Sequence, residues 1–182
     1  GTGGWNCPDI ALVDASGNGK IHNLTNSGYS DVNARWVLGG KAMLFSSDRA
    51  GYRSHGSWGA EYDAYIMFFD LDAMEKFRMN KEERQLAKDN MTKKEKKEEE
   101  KKEKEEKKNA DTPKPADVDE LKFDLDNCRD RVIRLTVNSS NLGDAILDKD
   151  GENLYYKAAF EGGYDLWRHN LVDNRTELIS KG

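Results

Sequence analysis

Short apolar runs, rich in β-branched and aromatic residues, recur along the chain with turn residues between them. They are ARWVL (34–38), AMLFSS (42–47), AYIMFF (64–69), RVIRLTV (131–137), NLYYKAAF (153–160), YDLW (164–167) and TELIS (176–180). Runs of this length and composition, wholly apolar or alternating, predict β-strands. Gly39-Gly40 and Asp150-Gly151 predict tight hairpin turns, because these residues tolerate positive φ. Residues 14–19 (DASGNG) and Asp173-Asn174 are further turn signals. Residues 72–91 (DAMEKFRMNKEERQLAKDNM) have helical character instead. Asp72 is the expected cap of the start, and Asn80-x-x-Glu83 a capping box. Met74 and Phe77 share the face expected to dock on the strands.

The runs belong to a repeat. Residues 24–51 align without a gap on residues 135–162, at an offset of 111. Leu24-Thr25 falls on Leu135-Thr136, Trp36 on Leu147, Gly40 on Gly151, Phe45 on Tyr156 and Gly51 on Gly162. YDAY (62–65) then matches YDLW (164–167), and residues 9–25 resemble residues 164–180. A generic β-sandwich would supply meanders without such self-similarity. A recurring antiparallel four-stranded unit is the blade of a β-propeller. The expected fold class is therefore all-β: a partial β-propeller of about two and a half four-stranded antiparallel blades, with a charged helical insertion in the middle blade. The blades are expected over about 9–25, 32–137 and 143–180, the insertion over about 72–118. Residues 1–8 read as a terminal remnant of cloning or processing.

The unit resembles the TolB-type propeller repeat: Leu24-Thr25, Gly40, the Phe45-Ser46-Ser47-Asp48-Arg49-Ala50-Gly51 stretch, and Asp63 before an apolar strand. The third unit departs from it, with Lys157 to Glu161 in place of Ser-Asp-Arg. RAGYRSHGSWGAEYDAYIMFF (49–69), a charged helix, and DRVIRLTVNSSNLGDAIL (130–147) together resemble the propeller region of bacterial tricorn-like serine peptidases, especially of Bacteroidetes type. The resemblance spans about residues 9–180. It implies a periplasmic or cell-envelope location, peptide or protein partners, and a peptidase domain beside a PDZ domain elsewhere in the parent. It brings no catalytic residue onto this sequence.

Charge sharpens the view of the insertion. Residues 93–108 (KKEKKEEEKKEKEEKK) are nine lysines and seven glutamates; the rest of the chain is about 28% charged, as in ordinary globular proteins. The run carries +2 and leaves −7 on the remainder, which argues against nucleic acid as a partner. Residues 93–112 hold no apolar residue except Ala110 and bury almost nothing, so the fold is expected to survive their replacement by a short linker. The run reads as a solvated spacer, with a partner-binding arm or lid as the alternative.

No apolar stretch is long enough to span a membrane, and none reads as a signal peptide. His22, His55 and His169 have no metal-ligand spacing, and no nucleophile elbow, phosphate loop or dinucleotide fingerprint occurs. No catalytic residue, metal or cofactor is expected. Cys7 and Cys128 are a disulfide or two free thiols. Sequons at Asn23, Asn138 and Asn174 are short enough to be accidental.

One stretch has the composition of a binding surface. Residues 51–63 (GYRSHGSWGAEYD) lengthen the loop between the second and third strands of the middle blade. They carry Tyr52, Arg53, His55, Trp58 and Tyr62, the aromatic and arginine mixture that anchors interfaces. The alternative is that Trp58 merely packs on a neighbouring blade. Two functions follow from this reading. One is a non-catalytic propeller segment of a tricorn-like peptidase that positions or gates peptides. The other is a stand-alone TolB-like module binding protein or glycan. Open blade flanks at Ile10, Leu12, Leu154, Tyr156, Leu166 and Trp167 are expected to favour homo-oligomers.

Overall fold

The structure is a computed structural model, and it describes residues 7–16, 19–54, 59–90, 121–160 and 162–182. Among the described residues, ten strands form three antiparallel sheets. β1 (Ala11–Leu12) and β2 (His22–Asn23) form a two-stranded sheet. The middle sheet runs in chain order: β3 (Asp31–Val37), β4 (Ala42–Ser47), β5 (Asp63–Phe68) and β6 (Val132–Arg134). The last sheet does the same with β7 (Asn141–Leu147), β8 (Asn153–Ala159), β9 (Asp165–Asn170) and β10 (Arg175–Ser180).

The repeat is visible in the register. Trp36 pairs with Met43, and Leu147 pairs with Leu154, each 111 positions further on. Each first strand also carries one irregularity near its start, after Val32 and after Leu142. The first hairpin turns through Leu38, Gly39 and Gly40, all at positive φ, 52°, 66° and 89°. Leu38 is held there against the steric preference of an L-residue.

Every residue of β4 and β5 is buried, a consequence of packing on both faces. One face (Ala42, Leu44, Ala64, Ile66, Phe68) packs against Leu147, Leu154, Tyr156 and Ala158 of the last blade. The other (Met43, Phe45, Tyr65, Met67, Phe69) packs with Ile10, Leu24 and Cys128. This is why the two strands read as continuous apolar runs rather than alternating ones.

The expectation of open apolar flanks is corrected here. Ile10, Leu154 and Tyr156 are buried inside the chain, and Leu12 and Trp167 pack on the two cores. On the last blade the outward pairs are Asn153 with Asn170, Tyr155 with Arg168, and Lys157 with Leu166. That face is mostly polar, and Arg168 donates to Glu177 at 2.6 Å. Exposed apolar side chains lie elsewhere, among them Ile146 on β7 and Leu178 and Ile179 on the outermost strand, β10. Trp36 is 48% exposed where its repeat mate Leu147 is 7% exposed, and Val13 and Ile21 are also exposed.

The insertion leaves the middle sheet between β5 and β6. Helix α1 (Leu71–Arg78) is capped by Asp70, whose Oδ1 accepts from the backbone N–H groups of Asp72 and Ala73 at 2.9 and 3.3 Å. The expected cap, Asp72, sits in the first turn and pairs with exposed Lys122. Met74 and Phe77 dock on the first core, Phe77 meeting Phe68 at 5.2 Å. Residues 78–90 belong to a second compact unit, helical over 81–90. There Asn80 and Glu83 exchange both capping-box bonds at 2.9 Å. The lysine and glutamate run lies outside the described residues.

The returning chain is fixed by Asp124. Its backbone N–H donates to the Phe69 carbonyl at 2.9 Å, and Phe123 stacks on Phe69 at 4.4 Å. Hydrogen bonds from Asn127 and Arg131 hold the Asp124 carboxyl down at about 2, against the opposing effect of desolvation. A carboxyl held this low stabilises the fold above its unfolded pKa and loses that contribution as pH falls through the folded value. Asp124→Asn is therefore expected to be less stable than the parent at pH 7. In urea titrations across pH, the gap should hold down to about pH 4 and close as pH falls towards 2.

Candidate functional site

The charged residues of the repeat gather where β3 and β5 begin and β4 and β6 end. Asp31 has a fully buried side chain; it accepts from Ser27 Oγ and from Arg49 Nη2, the latter at 2.8 Å. Arg49 also donates from Nε to Ser47 Oγ at 2.9 Å. Its guanidinium lies 5.4 Å from the centre of the Phe45 ring and 4.9 Å from that of Tyr65. Burial and nearby Asp63 push the Tyr65 hydroxyl pKa up, so it stays neutral. Asp48, in the next position of the motif, accepts from the Ser30 N–H at 2.9 Å and from Arg53 Nε at 3.0 Å.

A second hydrogen-bonded carboxylate repeats between blades. Asp63 has no exposed side-chain surface and accepts from Arg134 at 2.8 Å, Thr136 at 2.6 Å and Ser139 at 2.7 Å. Its counterpart Asp9 accepts from Thr25, Asn23 and the Ser27 N–H. Partial burial works against the Asp9 charge, but these bonds outweigh it and hold the carboxyl below its ordinary pKa. Thr25 and Thr136, the threonines of the two Leu-Thr pairs, also accept from the backbone N–H groups of Ile10 and Ala64. The Leu-Thr and Asp signatures are thus one device that ties the fourth strand of a blade to the third.

The long loop starts as a hairpin. The Glu61 N–H donates to the Tyr52 carbonyl at 2.8 Å, and Arg53 bridges Ala60. A Cβ on Gly51 would collide with the Glu61 carbonyl, so the two arms close only over glycine. Tyr52 is 68% exposed. Arg53 lies over the ring of Tyr29 at 5.3 Å, and its Nη2 donates to Cys7 Sγ at 3.6 Å. Tyr62 lies elsewhere: its backbone pairs with Ser140, and its side chain packs on the core between the two full blades. His55 and Trp58 lie outside the described residues. The accessible group is therefore Tyr52, Arg53 and Tyr29. Tyr29 has no signal in the sequence, since the loop before β3 brings it in from a distance of 24 residues.

Both cysteines are free thiols. Cys128 is buried, donates to the Leu125 carbonyl, and has its pKa raised by burial. Among the described residues no three His, Cys, Asp or Glu side chains could hold a metal ion. No described helix is long and apolar enough to cross a membrane.

Two four-stranded blades and a two-stranded sheet, related by a repeat and packed through a shared middle sheet, make the chain a partial β-propeller. No protein-family model and no curated protein matches it. Among solved structures, the crystal structure of the tricorn protease is similar, with a TM-score of 0.54 and 10% identity. The likeness covers 94% of this chain and 15% of that one. It is a likeness of fold.

Proposed function

We propose that the chain is a non-catalytic propeller segment of a tricorn-like serine peptidase of the bacterial periplasm or cell envelope. It positions or gates peptide substrates, or binds a protein partner, for a peptidase domain carried elsewhere in the parent. The observation that carries this reading is the repeat at an offset of 111, folded as propeller blades, with a likeness of fold to the tricorn protease along nearly the whole chain. The Bacteroidetes-type resemblance of residues 49–69 and 130–147 supports it. The binding surface is Tyr52, Arg53 and Tyr29, with Asp48 orienting Arg53 from beneath. His55 and Trp58 join it by sequence. A stand-alone TolB-like module would use the same surface for protein or glycan, favoured by the exposure of Tyr52.

Fluorescence anisotropy of labelled casein-derived peptides mixed with the purified chain tests this. Binding without cleavage is expected, weakened roughly tenfold by Arg53→Ala, as for an anchoring arginine. Cleavage abolished by mutating one serine of this chain would overturn the non-catalytic reading. Binding to glycans and not to peptides would favour the stand-alone module.

A further inference from the structure

In the middle blade, Phe45 and Tyr65 are a cross-strand pair with ring centres 5.8 Å apart. Arg49 lies over both rings and is tied to Asp31. The last blade keeps the rings and loses the cation. Tyr156 occupies the repeat position of Phe45 and pairs with Trp167 as Phe45 pairs with Tyr65. Phe160 stands in the position of Arg49, and Leu142 in that of Asp31. Phe160 is half-exposed and meets Trp167 edge-on at 5.8 Å.

Where the middle blade holds a guanidinium, the last blade has a cleft of about 580 Å³. Its lining includes Tyr156, Phe160, Trp167, Asp165, Thr176 and Lys181. The Trp167 indole N–H is buried and meets no hydrogen-bond partner among the described residues. We propose that this cleft recognises a cationic side chain, an arginine presented by a peptide partner. The arginine would sit against Tyr156, Phe160 and Trp167 as Arg49 sits against Phe45 and Tyr65, with Asp165 as its counter-ion.

The chemistry fits on three counts. Aromatic faces attract cations, and tryptophan does so most strongly. A guanidinium is planar and weakly hydrated, so it enters an aromatic cleft at lower cost than an ammonium. Asp165 Oδ1 accepts from the Gly182 N–H at 3.1 Å, and a carboxylate can accept further donors. Lys181 at the rim opposes the cation, so Lys181→Ala is expected to tighten binding. The inference rests on the cleft and on its repeat counterpart in the middle blade, and stands whether or not the parent is a peptidase.

The test is an NMR titration of the full chain with Ac-Gly-Arg-Gly-amide and with its citrulline counterpart, which has the same shape and no charge. The Trp167 indole N–H resonance, assigned with Trp167→Phe, is the readout. A saturable shift with the arginine peptide is expected, roughly tenfold weaker with citrulline and roughly tenfold weaker in Asp165→Asn. Phe160→Ala, at a half-exposed position, should weaken it without disturbing the fold, as checked by circular dichroism. Equal affinity for the two peptides, unchanged binding in Asp165→Asn, or no saturable shift would overturn the proposal.

Discussion

Asp63→Ala is expected to destabilise the fold by about 3 kcal/mol. The side chain is fully buried, and its two oxygens receive Arg134, Thr136 and Ser139. Removing it leaves the buried Thr136 O–H without its acceptor and the Arg134 guanidinium without its carboxylate. Arg134 is 37% exposed and can regain water, which keeps the loss towards the lower end of the range for broken buried pairs. Asp63→Asn keeps one acceptor oxygen and should lose less. Urea denaturation followed by circular dichroism reads the difference, and a change below about 1 kcal/mol would show that the device is not structural.

Phe68→Ala should have an effect as large or larger, about 3–5 kcal/mol. Phe68 is fully buried in the face of the middle blade that packs on the last blade, and it also receives Phe77 from α1. Truncation leaves a cavity that neither rigid sheet can close. For a chain of this size such a loss lowers the melting temperature by roughly 10 °C. Differential scanning calorimetry checks it. An unchanged melting temperature would mean that the blade interface is not where the stability lies.

The strands and their blade order were legible because an apolar run bounded by turn residues has few other uses, and because the offset of 111 fixed equivalent positions across the two full blades. The helix start was displaced by two residues. Asp70 and Asp72 are both suitable caps, and in the fold it is the Asp70 carboxylate that meets the first backbone N–H groups. The candidate surface was legible in part. Arg53 follows the Ser-Asp-Arg stretch that orients it, but Tyr62 points to the core, because alternation in β5 assigns its face from the sheet and not from the loop. The cleft on the last blade was hidden for a related reason. Tyr156 and Trp167 carry the same apolar signature as any inter-blade residue, and only the repeat taken with the register sets them in the places of Phe45 and Tyr65, with Phe160 where Arg49 stands.

The chain closes its middle blade across the insertion and stacks it on a second blade of the same design. Cross-strand nuclear Overhauser contacts test it most directly. Contacts between Ile66 and Ile133, and between Tyr65 and Arg134, are expected across the inserted segment, along with Phe45 to Tyr65 and Tyr156 to Trp167. A β5 strand whose neighbours are anything other than β4 and β6 would contradict the account.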